Sequence, residues 1–300
     1  MIVSQLLGGL GNQMFQYATA RALSVAKGTD LALDISRFGT YTLHHGFELQ
    51  KVFQGVRQAG RIATSKEISR CMGVAQYKHI QNILAKPSLS RLRPSSWLPE
   101  PDFNYWAGLD AAARARDDCY LTGYWQSEKY FENQADLIRQ DFSFLEYCSA
   151  ANLAILLRIQ QKNAVSIHVR RGDYVNNAAT LAVHGVCPLA YYEQAISYLK
   201  ARVANPYFVV FSDDLPWVQH NLAALLPGAH EYVSNNQGSA SYNDMRLMSC
   251  CRHHIIANSS FSWWGAWLNP RKDKMVVAPR RWFNRGADTP DLLPASWCKL

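Results

Sequence analysis

Two arginines, a histidine and an aspartate stand close together at 168–174, where the chain reads HVRRGDY. An apolar run precedes them, so they should follow the end of a buried strand. Arg170 and Arg171 carry the planar guanidinium groups that hold a diphosphate through paired, charge-assisted hydrogen bonds. His168 and Asp173 are the candidate proton acceptors by proximity, although either could instead orient Arg170. The alternative is a surface ion cluster that caps a strand.

Glycines gather at 8–11, between the first apolar run and a segment with helical periodicity. Gly9 and Gly11 let backbone amides approach an anion or a sugar, and Asn12 could cap the helix that follows. The pattern begins like a dinucleotide-binding fingerprint, but its sixth position is Met14 instead of glycine, which argues against NAD or FAD. The alternative is a tight turn between strand and helix that binds no ligand.

A loop of small polar residues, Asn258, Ser259 and Ser260, comes directly after a predicted strand and opens a helix. Hydroxyl groups and free amides at a helix N-terminus form an anion site of the kind that holds phosphate. Ordinary N-capping is the alternative for this loop. The tryptophans of the same helix are predicted to form its buried face: Trp263, Trp264 and Trp267.

Asp213 and Asp214 follow the apolar run 207–211, where their carboxylates could accept hydrogen bonds from a ribose or a base edge. A simple turn that starts a helix explains the pair equally well. The pair is not the D-x-D arrangement that many metal-dependent enzymes place on a diphosphate, and the two arginines make a metal unnecessary. The chain contains no G-x-S-x-G elbow and no GKS or GKT P-loop, which argues against the usual hydrolases and P-loop ATPases.

Strand and helix patterns position these groups. Residues 1–34 have the pattern of a strand, a glycine loop, a helix and a second strand, and Gly28 is placed to end the helix. Residues 35–150 are less regular, and strands and helices alternate again after them. We therefore predict an α/β protein with two domains, 1–150 and 151–300, the second built on a mainly parallel sheet.

Composition narrows the class of protein. The 300-residue chain is 48% hydrophobic and 18% charged, which is enough apolar content for a substantial core. Its seven cysteines show no C-x-x-C spacing and indicate reduced thiols, as in a cytosol. The N-terminus lacks the features of a signal peptide, and no apolar run reaches the ~18 residues that span a bilayer. We therefore expect a soluble, cytoplasmic protein.

The net charge of +8 favours anionic partners. The basic residues are spread along the chain without a dense block, and no nucleic-acid-binding module is recognisable. A bound anionic nucleotide therefore suits the chain better than a nucleic acid. Loose adhesion to the inner face of a membrane is also compatible with this charge.

Four segments together resemble a known family. They read GLGNQMFQY at 9–17, GYWQSEKYF at 123–131, HVRRGDY at 168–174 and NSSFSWW at 258–264. In this order they resemble the bacterial α-1,2-fucosyltransferases of glycosyltransferase family 11, within the wider group of α-1,2-, α-1,6- and protein O-fucosyltransferases. The resemblance spans residues 1 to about 285.

The resemblance implies a GT-B architecture, in which two Rossmann-like domains face each other across a cleft. The C-terminal domain, 151–300, would mainly hold the donor GDP-β-L-fucose, and the N-terminal domain, 1–150, would hold the acceptor. It further implies an inverting transfer of L-fucose to the 2-OH of a terminal galactose in an oligosaccharide. The reaction would need no metal and no other cofactor.

The resemblance also assigns roles to single residues. Arg170 matches the arginine that contacts the donor diphosphate, and Arg171 follows it in the same motif. Asp213 would lie on the nucleoside side of the donor. The glycine-loop residues would lie near the sugar, and the serine loop near the phosphates: Gly9, Gly11, Asn12 and Gln13 in the first, and Ser259, Ser260 and Phe261 in the second.

The acceptor is expected among the aromatic residues of the first half of the chain. Tyr124, Trp125, Tyr105 and Trp106 could stack on the apolar faces of a galactose, or they could belong to the core. Two alternative functions stay open. One is a fucosyltransferase of the same fold with a different acceptor, an α-1,6-linked chitooligosaccharide or a protein. The other is a module that binds a GDP-sugar without catalysis.

Overall fold

The computed structural model describes residues 1–40, 45–145, 149–172, 175, 177–226, 228–284 and 289–300, with the side chains of 40 and 179 excepted. The chain divides into two compact units. Unit 1 comprises Met1–Leu145 and Thr289–Leu292, and unit 2 comprises Glu146–Asp288 and Leu293–Leu300.

Unit 1 is built on a five-stranded parallel sheet of order β3-β2-β1-β5-β4. Its strands are β1 (Ile2–Gln5), β2 (Leu31–Asp34), β3 (Arg61–Ile62), β4 (Trp97–Pro99) and β5 (Cys119–Thr122). Its helices are α1 (Leu10–Lys27), α2 (Leu49–Val52), α3 (Gln54–Ala59), α4 (Ser65–Met72), α5 (Lys78–Leu84), α6 (Leu109–Arg114) and α7 (Ala135–Asp141). Short 3-10 helices lie at Ser36–Thr40, Gly73–Gln76, Pro87–Leu92, Glu128–Tyr130 and Glu132–Gln134.

Glycines stand at both ends of helix α1. The helix begins one residue after Gly9, whose extended backbone makes it the N-cap, so the prediction that Asn12 caps the helix is wrong. Gly28 ends the helix in the left-handed conformation, with φ of 63°, as predicted. Gly8 has φ of +82°, a left-handed conformation that favours glycine. A Cβ at this position would also lie 2.7 Å from the side-chain nitrogen Nδ2 of Asn12, so only glycine fits at the turn.

Unit 2 is built on a six-stranded parallel sheet of order β11-β10-β9-β6-β7-β8. Its strands are β6 (Asn163–Val169), β7 (Pro206–Ser212), β8 (His230–Val233), β9 (His253–Ile255), β10 (Val276–Ala278) and β11 (Cys298–Lys299). Its helices are α8 (Ala150–Gln161), α9 (Ala178–His184), α10 (Leu189–Lys200), α11 (Leu215–Leu222), α12 (Tyr242–Cys250) and α13 (Ser260–Trp267), with 3-10 helices at Ala223–Leu225 and Gly238–Ala240.

Strand β6 lies inside the second sheet, next to the point where the strand order reverses. Strand β6 is buried along nearly its whole length and pairs with β7 on one side and β9 on the other. The chain runs outward from β6 through β7 and β8, and then returns to β9 and runs outward in the opposite direction. The direction reverses between β6 and β9, and this is the point where open parallel sheets bind ligands.

The helix that follows β9 packs as predicted. The side chains of Trp263, Trp264 and Trp267 are all buried, and the Trp263 and Trp267 rings are stacked. No helix in the described part of the chain is both long and apolar enough to cross a membrane.

Candidate active site

The HVRRGDY segment lies at the reversal point of the unit 2 sheet. His168 is the penultimate residue of β6, and Arg170 and Arg171 follow the strand. Ser259 and Ser260 stand at the end of the neighbouring strand β9, at the start of α13. The fold therefore brings the two predicted phosphate-binding segments to the same edge of one sheet.

Two aspartates orient the arginines. Arg170 Nη1 lies 3.0 Å from Asp213 Oδ2, and the backbone N–H of Arg171 donates to Asp213 Oδ1 at 2.8 Å. A Cβ on Gly172 would lie 3.0 Å from Asp213 Oδ2, so glycine permits this close approach. Asp213 thus contacts both arginines, and its predicted contact with the nucleoside stays a prediction.

Two contacts hold the Arg171 side chain. Its Nε lies 3.2 Å from Asp214 Oδ2, and its guanidinium carbon lies 3.9 Å from the centre of the Trp217 ring. Asp214 is also the N-cap of α11, because its Oδ1 accepts the backbone N–H of Trp217 at 3.2 Å. The side chains of Arg170 and Arg171 keep 27% and 17% of their surface exposed, so neither side chain is fully buried.

His168 is buried at the same edge. Its ring packs against Phe261, with 5.7 Å between ring centres. Its Nδ1 has no hydrogen-bond partner among the described residues, and burial lowers its pKa to about 4. At neutral pH the imidazole is therefore uncharged and only weakly basic. Asp173, the other candidate base, lies outside the described residues.

The serine loop is shaped by Asn258. The Asn258 Nδ2 donates to the carbonyl oxygens of His184 at 2.8 Å and Trp282 at 3.2 Å. Ser259 has the extended conformation of an N-cap, but its side chain accepts no capping hydrogen bond within the part of the chain that is described. Ordinary N-capping therefore does not account for Ser259. Ser260 and Phe261 follow it in the first turn of α13, both half-buried.

The prediction that Gln13 of the glycine loop binds the donor sugar is wrong. Gln13 is fully buried, and its Nε2 donates to the carbonyl oxygens of Gly8 and Gly46 at 2.9 and 2.8 Å. Its Oε1 accepts the backbone N–H of Glu48 at 3.0 Å. Gln13 therefore ties the loop to a later segment and offers no group to a donor sugar. Gly9 and Gly11 stand at the start of α1.

Asn12 lies where the loops after β1 and β5 meet. Its Oδ1 accepts a hydrogen bond from Gln126 Nε2 at 2.9 Å, and its side chain is half-buried. Gln16 Nε2 donates to the carbonyl oxygen of Gly123 at 3.0 Å and holds the same two segments together. Residues 123–127, the GYWQS segment, and the glycine loop thus form one edge of the unit 1 sheet.

Glu100, for which the sequence predicts no role, organises this edge. Its carboxylate accepts the backbone N–H groups of Tyr124 at 2.6 Å and Trp125 at 2.8 Å. Trp125 is held there at a φ of +57°, which is unusual for a large side chain. Burial raises the Glu100 pKa to about 7. The available signal was an acidic residue directly after the short apolar run that forms β4.

The predicted acceptor platforms differ in exposure. The prediction is wrong for Trp125, because its side chain is fully buried and packs edge-on against Tyr130. A buried ring cannot stack on a sugar. Tyr124, which stacks on Phe103, and Trp106 are both half-buried, and Tyr105 is also half-buried. These three side chains retain exposed surface for a ligand.

We expect Glu100→Gln to change how stability depends on pH. The folded pKa of about 7 lies above the ordinary value of 4.5, so the folded state holds the proton more tightly than the unfolded state. Stability from this group is complete below pH 4.5 and is lost as the pH rises towards 7. The free energy of unfolding of the wild type should fall relative to the variant by about 1–3 kcal/mol across this window.

Chemical denaturation at a series of pH values measures this difference. The matched control is Glu132→Gln, because Glu132 is an exposed carboxylate of the same unit. Its stability curve should run parallel to that of the wild type. A Glu100→Gln curve parallel to the wild type would show that the carboxyl titrates normally.

Comparisons with known proteins identify the family. The sequence model described as Glycosyl transferase family 11 matches residues 100–291. The chain belongs to glycosyl transferase family 11. It is 36% identical over 302 residues to an "Alpha-1,2-colitosyltransferase" of Escherichia coli, covering 100% of this chain and 99% of the relative. It is 35% identical over 305 residues to the "O-antigen biosynthesis glycosyltransferase WbnK" of the same species, covering 99% of each.

More distant relatives match part of the chain. A "Galactoside 2-alpha-L-fucosyltransferase SEC1" of Bos taurus is 31% identical over 153 residues, which is 49% of this chain and 41% of the relative. Among solved structures, the NodZ alpha-1,6-fucosyltransferase soaked with GDP-fucose superposes with a TM-score of 0.51 at 16% identity, covering 90% of this chain and 92% of that one. The α/β fold class of the GT-B type, predicted from the sequence, is confirmed.

Proposed function

We propose that this glycosyltransferase moves L-fucose from GDP-β-L-fucose to the 2-OH of a terminal galactose in an oligosaccharide, with inversion to an α-1,2 linkage. The observation that carries the proposal is the pair Arg170 and Arg171, oriented by aspartates at the reversal point of the unit 2 sheet. Two guanidinium groups there suit a diphosphate. Relatives named for α-1,2 transfer and for galactoside 2-fucosylation support the linkage.

The arginines act on the leaving group. When the bond between the anomeric carbon and the diphosphate oxygen breaks, its electron pair stays on GDP and positive charge develops on the sugar ring. Arg170 and Arg171 are already held in position by Asp213, Asp214 and Trp217, so they stabilise the developing charge without reorganising. The N-terminus of α13 adds a partial positive charge at the same sheet edge.

The acceptor hydroxyl must lose a proton as it attacks the anomeric carbon. We assign this proton to Asp173 and not to His168, because the low pKa of the buried imidazole makes it a poor acceptor near neutral pH. The contact between His168 and Phe261 instead fixes the end of β6, from which Arg170 projects. His168 is then a positioning residue.

We further propose that unit 2 binds the donor and unit 1 the acceptor. In unit 1, the predicted acceptor residues that keep exposed surface are Tyr105, Trp106 and Tyr124, and Asn12 is half-buried as well. Glu100 holds the backbone of the GYWQS segment, so it would position Tyr124 for stacking on a galactose face.

Colitose is the second candidate for the transferred sugar. The full-length similarity to a colitosyltransferase favours it, and colitose is the 3-deoxy counterpart of L-fucose. The two donors therefore differ by one hydroxyl group. A site that hydrogen-bonds this hydroxyl discriminates against the deoxy sugar by roughly 10⁴–10⁵-fold, whereas a site without such a contact accepts both.

One experiment tests these assignments. The protein is incubated with GDP-fucose or GDP-colitose and with a panel of acceptors: β-galactosyl oligosaccharides, a chitooligosaccharide and a folded protein domain. NMR of the product gives the linkage. Fucose on O2 of galactose supports the proposal. Transfer of colitose alone, transfer to another acceptor or linkage position, or donor binding without transfer or hydrolysis would each contradict it.

We expect the activity to be independent of metal ions. Two guanidinium groups and a helix N-terminus supply the positive charge that Mg²⁺ or Mn²⁺ would provide at a diphosphate. Excess EDTA should leave the initial rate of transfer unchanged, and added Mn²⁺ should not raise it. A rate that EDTA abolishes and Mn²⁺ restores would refute this expectation.

A further inference from the structure

One stretch of unit 1 holds most of the net positive charge of the chain. Residues 68–99 contain no aspartate or glutamate. They contain five lysines and arginines, against a net charge of +8 for all 300 residues. These are Arg70, Lys78, Lys86, Arg91 and Arg93. The five cations are separated along the sequence and form no dense block, but no acidic residue of the stretch offsets them.

The same stretch exposes large apolar side chains. Ten large apolar residues are strongly exposed in the described part of the chain, and four of them lie within residues 74–92. They are Val74 at 65% exposure, Tyr77 at 61%, Ile83 at 53% and Leu92 at 67%. Such a concentration of exposed apolar groups indicates an interaction surface.

These residues belong to consecutive elements that cover one face of the sheet. Together they form a layer on the sheet, and the inner side of this layer packs into a core cluster through Ala75 and Leu84. On α5, His79 and Ile83 share the opposite, exposed side, because four residues return to the same helix face. Arg93 Nε donates to the carbonyl oxygen of Leu84 at 2.7 Å, which brings the end of the 87–92 turn against the end of α5.

Three of the cations on this layer are not neutralised. Lys78, Lys86 and Arg91 are exposed, and their side chains form no ion pair or hydrogen bond with the described residues. Arg70, by contrast, pairs with Asp118 at 2.9 Å, and Arg93 donates to backbone carbonyls. We call Val74, Tyr77, Lys78, Ile83, Lys86, Arg91 and Leu92 together the 74–92 surface.

We propose that the 74–92 surface docks on an anionic phospholipid membrane. Its lysines and arginine would contact lipid phosphates, while Val74, Ile83 and Leu92 would enter the boundary between headgroups and acyl chains, with Tyr77 at headgroup level. A nucleic acid offers no hydrocarbon phase for three aliphatic side chains. A second copy of the chain would bring two positively charged surfaces together. This proposal goes beyond the transferase reaction and does not depend on its donor or acceptor.

Vesicle sedimentation tests the proposal on the full chain. The wild type should bind phosphatidylcholine vesicles that contain phosphatidylglycerol, should bind pure phosphatidylcholine far more weakly, and should be released by salt. The double variant Lys78→Ser with Lys86→Ser should bind about 25-fold more weakly, since each cation near the surface contributes about fivefold. Ile83→Ser with Leu92→Ser should weaken binding on the order of tenfold or more.

Matched controls come from unit 2. Lys200→Ser with Lys272→Ser removes two exposed lysines, and Leu157→Ser removes an apolar side chain that is 57% exposed. Both should bind like the wild type, and thermal unfolding should show that all variants fold. Equal wild-type binding to neutral and anionic vesicles would overturn the proposal. Unchanged vesicle binding by both 74–92 variants would also overturn it, as would loss of a dimer in light scattering without loss of vesicle binding.

Discussion

Arg170→Lys should lower kcat by on the order of 10²-fold or more, although the positive charge is kept. A lysine presents one compact ammonium group, which cannot make the planar paired contact of a guanidinium with a diphosphate. It would also change the ion pair with Asp213, whose carboxylate now lies 3.0 Å from Arg170 Nη1. The loss is comparable to that of one donor that stabilises a developing oxyanion. Steady-state kinetics with saturating GDP-fucose measures it.

The control for this variant is Arg202→Lys in the same unit. Arg202 is exposed, and its guanidinium lies over the Tyr198 ring. Its kcat should equal that of the wild type. If Arg170→Lys retained more than about a third of the wild-type kcat, Arg170 would not carry the diphosphate charge in the transition state.

Trp125→Ala should destabilise unit 1 by about 3–5 kcal/mol, the usual loss for a fully buried aromatic side chain. The ring is 0% exposed and packs edge-on against Tyr130, so its removal leaves a cavity. Alanine does not relieve the strain of the left-handed backbone at this position, where φ is +57°, because it also carries a Cβ. The buried indole Nε1 has no partner within the described residues, and the removal of this atom offsets a small part of the loss.

Chemical denaturation followed by fluorescence measures the stability of this variant. Trp106→Ala is the control, because Trp106 is half-buried and should destabilise the unit much less. If Trp106 also contacts the acceptor, its variant should raise the acceptor KM with little change in stability. An unchanged stability of Trp125→Ala together with weak acceptor binding would restore Trp125 as a sugar platform.

The sequence alone was sufficient to predict the α/β class and the sheet edge that carries the chemistry. Parallel strands end at a common edge, so polar residues that directly follow apolar runs must gather there whatever the details of packing. The sequence predicts that Arg170 and Ser259 each follow a strand, and the parallel sheet brings both to one edge. Gly28 was equally predictable, because the end of a helix depends on local backbone conformation.

Only the tertiary structure decided which polar groups are available to a ligand. Gln13 and Glu100 are both polar residues beside a predicted loop, yet each is engaged with backbone groups more than twenty residues away in the chain. The burial of His168, which lowers its pKa and places its ring against Phe261, is also decided by the packing of distant elements. Such contacts depend on how separate elements pack, which the periodicity of a single segment does not record.

Trp125 shows most clearly the difference between what the sequence predicts and what the packing decides. Its position in the GYWQS segment was recognisable from sequence, but an aromatic residue after a strand suits a core and a sugar platform equally well. The backbone hydrogen bonds to Glu100 turn this residue inward. The sequence therefore determined the motifs and the edge of the sheet where they meet. The packing of distant segments determined the burial, charge and orientation of each side chain, because those depend on neighbours that are close in space and remote along the chain.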